Sequence, residues 1–294
     1  MAEMRTLDTG TEYLLARVED GVGVLTFNRP ERLNALHPDM YIGFANVLPQ
    51  FATDDEVGAV LLTGAGRGFC AGGDVRAQSE RAERAARGSE DSSEGTSEGR
   101  SDGVEGPSLE ARIQDLRQRQ AEVSATFFEF PKVTIAALPG PAAGAGLSIA
   151  LSCDIRVAAP TAMITTAFAK VGFSGDFGGS WFLTRLVGLA KATELYLTSD
   201  KVSATEAERL GIVNAVLPGE DFPAEALAYA ATFAHGPRVA YRYMKENLHR
   251  AQEVDLRTAL DAEAVAMTRT AGTADHREAA RAFVEKRTPT FSGR

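Results

Sequence analysis

Two uninterrupted apolar runs constrain this chain most: Val57–Thr63 (VGAVLLT) and Val133–Leu138 (VTIAAL), each followed within a few residues by a turn built from Gly and Ala. A half-exposed strand alternates polar and apolar residues. A run with no polar face has to be covered on both sides, which is the habit of parallel strands in α/β folds. Asp154–Ala159 (DIRVAA) reads the same way, and Val22–Asn28 (VGVLTFN) is a β-type run closed by the turn signal Asn28-Arg29-Pro30. Residues 39–51 read as an amphipathic helix, and Ala142–Ser152 as a helix of small and aliphatic residues. Strands alternating with helices imply βαβ crossovers and largely parallel pairing.

From Phe177 onward the pattern turns helical, over roughly 177–188, 191–198, 203–210, 222–235, 237–251, 254–270 and 275–286, broken by the short apolar run Ile212–Leu217. The expected organisation is an α/β core over 1–210 and a helical region over 211–294, with no internal repeat. An insertion at about 79–108 interrupts the core. Its stretch Gly88–Ser108 holds five Gly, six Ser, six acids and a single large aliphatic, Val104. Such a composition cannot bury enough apolar surface to offset the entropy of ordering, so disorder is expected there. It reads as a solvated loop or, given its place after the first Gly-rich turn, a lid.

Composition narrows the function classes. A net charge of −9 argues against nucleic acid as the main partner. Two cysteines and four scattered histidines give neither a disulfide framework nor a metal-site spacing. No stretch is long and apolar enough for a membrane helix, and the N-terminus lacks a signal-like apolar region. A cytoplasmic, metal-free globular protein without membrane association is the expectation.

The first turn, Thr63–Val75 (TGAGRGFCAGGDV), contains Gly66-x-Gly68-x-x-Ala71, a loose dinucleotide fingerprint. The acid that should follow about 20 residues later would fall in or beside the insertion, so that reading fails. Small residues also let backbone N–H groups face a cavity unobstructed, as an oxyanion hole requires. The second turn, Pro139–Gly146 (PGPAAGAG), precedes a helix whose N-terminus would offer unpaired N–H groups. Spacing alone leaves two readings open: anion-binding donors, or tight turns and close helix–strand packing.

Asn28-Arg-Pro with Asn34-Ala-Leu, then Phe69–Val75 (FCAGGDV), then Gly140, Gly144-Ala-Gly146 and Cys153-Asp-Ile resembles the crotonase (enoyl-CoA hydratase/isomerase) superfamily, and Phe283–Phe291 (FVEKRTPTF) is similar to the family's ending. The resemblance covers residues 13 to 291, the insertion excepted. It implies a spiral fold of ββα turns, a helical C-terminal trimerisation region, and a homotrimer or dimer of trimers. It also implies an acyl-CoA thioester substrate and no cofactor beyond the CoA of that substrate. Carried over by position, the N–H groups of Ala71 and Ala145 would hold the thioester oxygen. Ala145 replaces the usual Gly, which is tolerable because only its N–H is used. Gly72, Gly73 and Asp74 would line that end of the pocket, and Val75 and Arg76 would neighbour the CoA. Arg29 or Arg32 would reach its phosphates, and Phe283 and Lys286 would touch its far end from the same or a neighbouring subunit.

The resemblance also exposes two departures. Hydratases of the family hold water between two glutamates, and the corresponding positions here are Ser148 and Phe168. Neither acts as a base near neutral pH unaided. One acid remains in that region, Asp176 within Val171–Trp181 (VGFSGDFGGSW), at the place of the acid in the family's single-acid isomerases, with Gly175 where those have Pro. In its small, apolar surroundings Asp176 should be partly desolvated and a stronger base; it also suits an N-cap for the helix at Phe177. The expected reaction is C2 proton abstraction, an enolate held in the oxyanion hole, and return of the proton at C4. Asp154 reads as structural and Cys70 as a small apolar filler. Phe127, Phe128, Phe168, Phe173 and Trp181 suggest an apolar pocket, although such aromatics equally serve a core. Alternatives are a hydratase in which Asp176 alone positions water, and a non-catalytic acyl-CoA-binding protein.

Overall fold

The computed structural model describes residues 4–74 and 107–294. Val75, Arg76 and the acidic stretch up to Gly106 lie outside the described residues. In chain order the elements are β1 (Arg5–Leu7), β2 (Leu14–Glu19), β3 (Val22–Phe27), α1 (Pro38–Thr53), β4 (Ala59–Gly64), α2 (Leu109–Gln120), β5 (Val133–Leu138), β6 (Ala142–Ala143), α3 (Ala145–Ser152), β7 (Ile155–Ala158) and β8 (Met163–Thr165). There follow α4 (Gly179–Thr198), β9 (Val202–Ser203), α5 (Ala204–Arg209), β10 (Ala215–Val216), α6 (Phe222–Ala234), α7 (Arg238–Arg250), α8 (Leu256–Ala271) and α9 (Ala274–Glu285).

The main sheet has the order β1-β2-β3-β4-β5-β7-β10. Its first three strands are antiparallel, and β3-β4-β5-β7-β10 are all parallel. The apolar runs behave as their composition demands. Leu25, Phe27, Val60, Leu62, Ala136 and Leu138 pack into one core with α1 and α3. Their strand neighbours Val22, Val24, Ala59, Leu61, Val133 and Ile135 pack into a second core against α6, through Phe222, Ala226, Ala230 and Ala234. Both faces of the sheet are therefore dry, and the mixed α/β class agrees with the expectation.

α1 begins where His37 caps it, its Nδ1 accepting from the Asp39 N–H at 3.3 Å, with Pro38 at the first helical position. Met40, Phe44, Val47, Leu48 and Phe51 form its buried face. α4 contains a break at Gly188 (φ 75°, ψ 161°), so it is two helical pieces, matching the division of the sequence pattern.

One expectation is corrected. Ala142 and Ala143 are not the start of a helix but the short strand β6, paired with β8. Tertiary pairing overrides the helix propensity of alanine here, because Ala143 N–H donates to the Cys70 carbonyl at 2.9 Å and Gly144 N–H to the Thr165 carbonyl at 3.1 Å. The helix starts only at Ala145.

Asp154 fastens α7 to the sheet. Its Oδ2 accepts from the Thr134 N–H (2.8 Å) and hydroxyl (2.9 Å) and pairs with Lys245 Nζ at 2.6 Å. Lys245 also donates to the carbonyls of Phe130 and Lys132, both at 2.8 Å. Both side chains are largely buried, 12% and 14% exposed, so removing one strands the other. Lys245→Met should lower the unfolding free energy by about 3 kcal/mol in urea denaturation, the low end for stripping a buried charge of its partner; an unchanged midpoint would show that water replaces the ammonium at no cost.

Candidate active site

The two Gly-rich turns meet at the ends of β4 and β5. Asn34, fully buried, pins the first: its side-chain oxygen accepts from the Arg29 N–H (2.8 Å), and its amide donates to the carbonyls of Ala65 (2.9 Å) and Gly68 (2.8 Å). The Leu36 N–H donates to the Gly72 carbonyl at 2.8 Å. The second turn lies alongside, its Pro141 carbonyl accepting from the N–H groups of Phe69 (3.0 Å) and Cys70 (3.3 Å). Contact is close enough to demand glycine. A Cβ on Gly72 (φ +85°) would sit 2.7 Å from the Ala143 oxygen and 3.4 Å from the Ala145 nitrogen. One on Gly146 would sit 2.5 Å from the Cys70 oxygen.

This geometry decides which N–H groups remain available. Ala145 is the first residue of α3, where the backbone donor has no intrahelical acceptor and the helix dipole favours negative charge. Ala71 is not available: its N–H is spent on the Leu33 carbonyl at 2.9 Å, which corrects the expectation placed on it. Of Phe69, Cys70, Ala71 and Gly73, only Gly73 has an N–H without an acceptor among the described residues. The donor that this stretch leaves unspent is thus Gly73, two residues further along than the sequence pattern indicated.

The acid sits on a loop rich in left-handed residues: Gly172 (φ 71°), Gly175 (φ 109°), Phe177 (φ 49°) and Gly178 (φ 74°). For a bulky residue such as Phe177 that conformation is strained and has to be imposed by the surroundings. Its N–H donates to Gln120 Oε1 at 2.7 Å, and its ring stacks on Tyr41 with centroids 6.0 Å apart and an interplanar angle of 4°. Asp176 does not cap α4; Gly178 occupies the cap position, without a side-chain bond. Asp176 Oδ1 is buried and has no hydrogen-bond partner. Burial alone pushes the carboxyl up to about 6. Burial, with the nearby Asp176 charge adding to it, raises the Tyr41 phenol and pushes the Tyr196 phenol up to about 12, so both stay neutral beside the acid.

The positions of the two absent glutamates are filled by packing. Ser148 is buried, and its hydroxyl donates to the Gly144 carbonyl at 3.3 Å. A Cβ on Gly179 would meet Ser148 Oγ at 2.3 Å and the Tyr196 hydroxyl at 2.6 Å, so helix α4 closes directly over this spot. Phe168 is buried and stacked on Tyr196 at 5.9 Å.

The remaining sequence candidates separate. Arg29 is not a free cation: Nη1 donates to the Ala35 carbonyl at 2.9 Å, Nη2 pairs with Asp74 at 3.3 Å, and its side chain is 12% exposed. It braces the turn that carries Gly73 and Asp74. Arg32 is exposed at the end of the 3-10 turn Pro30–Arg32. Phe283 and Lys286, at the end of α9, are both exposed, and α9 packs on α8 rather than on the turns. Cys70 is a buried filler whose thiol burial pushes up to about 12. Of the expected pocket aromatics, Phe127 is core, Phe173 is exposed, and Phe128 and Trp181 line a cavity of about 340 Å³ beside Phe177 and Gly178. A similar cavity of about 370 Å³ between α4 and α7 lies away from the turns. Sequence reasoning missed Tyr41, Tyr196 and Gln120, which only packing brings to Asp176.

The enoyl-CoA hydratase/isomerase family model matches residues 17–98 and 105–294. The chain is 36% identical over 283 residues to 1,2-epoxyphenylacetyl-CoA isomerase of Escherichia coli, covering 96% of this chain and 99% of that one. It is 35% identical over 270 residues to a short-chain-enoyl-CoA hydratase of Clostridium acetobutylicum, covering 92% and 93% of the two chains. Among solved structures, an enoyl-CoA hydratase from Polaromonas sp. JS666 superposes with a TM-score of 0.81 at 32% identity, over 94% of this chain and 98% of that one.

Asp176 carries a sign that can be checked. Its carboxyl lies higher in the fold, at about 6, than its ordinary value of 3.8. The ionised form is therefore penalised on folding. The penalty is absent at pH 4 and below, grows between about 4 and 6, and is complete above 6. Asp176→Asn should be more stable than the native protein by about 2 kcal/mol at pH 8 and equal to it at pH 4, by urea denaturation at both values. Equal stabilities at both would show that the carboxylate is hydrated.

Proposed function

The chain belongs to the enoyl-CoA hydratase/isomerase family, and from that premise we propose that it shifts a double bond within an enoyl-CoA thioester, with Asp176 as its single acid–base group. The observation that carries this reading is the buried, unpartnered Oδ1 of the half-buried Asp176, in a site whose other two acid positions are Ser148 and Phe168. The N–H groups of Gly73 and Ala145 polarise the thioester carbonyl and acidify the C2–H. Asp176 takes the C2 proton, its raised pKa matching a base that works near neutrality. The electron pair delocalises from C2 onto the thioester oxygen and into the C3–C4 double bond as a dienolate, held by the two donors. Asp176 then returns the proton to C4, leaving a C2–C3 double bond. No electron leaves the substrate, so the reaction requires no redox cofactor, and the two N–H donors supply the polarisation of the carbonyl. The name of the Escherichia coli relative, 1,2-epoxyphenylacetyl-CoA isomerase, supports an isomerisation over water addition.

Relatives named hydratases favour water addition as the second reading. The two are separable by product: a shifted double bond against a 3-hydroxyacyl-CoA. Exposed apolar side chains on the C-terminal helices, with Phe283 86% and Val284 80% exposed, support assembly as a homotrimer or dimer of trimers. Phe283 and Lys286 would then meet the CoA of a neighbouring protomer. Arg32 is the proposed phosphate contact within the chain.

Conversion of a 3-enoyl-CoA, followed as the rise of conjugated-thioester absorbance, tests the proposal. The native enzyme should turn it over, with kcat/KM rising through about pH 6 as Asp176 ionises. Asp176→Asn should lower kcat by about 10²- to 10⁴-fold. Ala145→Pro removes one donor at a position where helices accept proline, and should lower kcat by about 10²- to 10³-fold with the fold retained. Turnover unaffected by Asp176→Asn, or 3-hydroxyacyl-CoA as the product, would overturn the single-acid isomerase.

A further inference from the structure

Helix α2 does not end at Gln120. It passes into a π turn, Ala121–Ala125, and a last helical stretch, Thr126–Phe128, with the Thr126 N–H reaching back to the Ala121 carbonyl. Wide turns of this kind insert one extra residue into a helix and recur at functional sites. Here the turn presents Ser124 to the 340 Å³ cavity, whose walls include Gln120, Phe128, Phe177, Trp181 and Phe182. Ser124 is 5% exposed, and its Oγ is buried with no hydrogen-bond partner. A buried hydroxyl without a partner costs stability and is rare in folded proteins.

The rest of the wall is aromatic. Phe128 meets Trp181 and Phe182 at 5.1 and 5.6 Å, and Trp181 meets Phe182 at 5.0 Å. The wall is also rigid on the acid side, because Gln120, one turn before Ser124, bonds the N–H of Phe177, the residue after Asp176. The cavity is therefore fixed relative to the base. Flat aromatic walls favour a ring-shaped occupant over a flexible chain. The single unpaired hydroxyl supplies one hydrogen bond to whatever polar atom that ring carries.

We propose that this cavity receives the acyl group, that the acyl group is a ring bearing a hydrogen-bonding oxygen, and that Ser124 is the specificity-determining residue that recognises the oxygen. The inference rests on the acyl-CoA reading of the site and assigns the part of the substrate beyond the reacting carbons. Ser124 takes no part in proton transfer. It selects by the hydrogen bond it gains with an oxygen-bearing ring, a bond that an unsubstituted ring does not offer.

Trp181 is the sole tryptophan of the chain and lies in the cavity wall, so its emission reports occupancy without turnover. The experiment titrates the full-length protein with CoA, phenylacetyl-CoA and the three ring-hydroxylated phenylacetyl-CoA isomers, for the native chain and Ser124→Ala. The native protein should bind at least one hydroxylated ester about three- to tenfold more tightly than phenylacetyl-CoA, the worth of one hydrogen bond. Ser124→Ala should erase that preference, leave phenylacetyl-CoA affinity unchanged, and unfold at an equal or higher temperature, since the lost hydroxyl had no partner. Equal affinities of the native protein for all four esters, or a preference that survives Ser124→Ala, would overturn the role of Ser124 and leave the acyl-CoA reading intact. No change of emission with any ester, together with no competition by them for a 3-enoyl-CoA that is turned over, would overturn the cavity assignment. Failure to bind any CoA thioester would overturn the parent reading itself.

Discussion

Everything in the site depends on the pairing of two turns from different strands, made possible where the backbone carries no side chain. Cys70 and Ala143 exchange a main-chain hydrogen bond across the seam, and Gly72 and Gly146 each back onto the opposite chain at distances no Cβ tolerates. The seam absorbs most of the local donors. The few left over, at Gly73 and at the N-terminus of α3, are left over because the neighbouring groups are spoken for. An anion site here is a remainder of the hydrogen-bond accounting of two strand ends.

The acid is held by a different means. Its loop is a succession of left-handed residues, one of them a phenylalanine, and its carboxyl has an oxygen facing no donor. Both features oppose folding. They persist because Tyr41, Gln120 and the start of α4 fix Phe177 from three sides. Stability elsewhere, in the doubly covered sheet and the Asp154–Lys245 clamp, is what makes that local cost tolerable.

Legibility followed the range of the forces involved. The strands β3, β4, β5 and β7 could be read because burial on both faces makes them mostly apolar, the buried Arg156 of β7 being the chief exception. β2 was passed over although its sequence LLARVE, with Arg17 and Glu19, alternates as a half-exposed strand does. β6, β8 and β9 are two or three residues long and owe their form to partners far along the chain. Asp176 stood out because an acid in a glycine-rich, apolar loop is already a statement about chemistry. The donor on the first turn was misplaced by two residues, because which N–H stays free is decided by the Leu33 carbonyl and not by the turn itself. Tyr41, Tyr196 and Ser124 left no local trace; packing alone gathers them.

The break at Gly188 has a mechanical meaning. It severs the backbone ladder of α4 between the piece that carries Trp181 and Phe182 and the piece that carries Leu195 and Tyr196. The first piece walls the aromatic cavity, and the second stands against Asp176. With no continuous helix joining them, a tilt of one is not transmitted rigidly to the other. The cavity wall can therefore drift under selection while the surroundings of Asp176 stay put, so one scaffold can reshape a pocket without disturbing its acid.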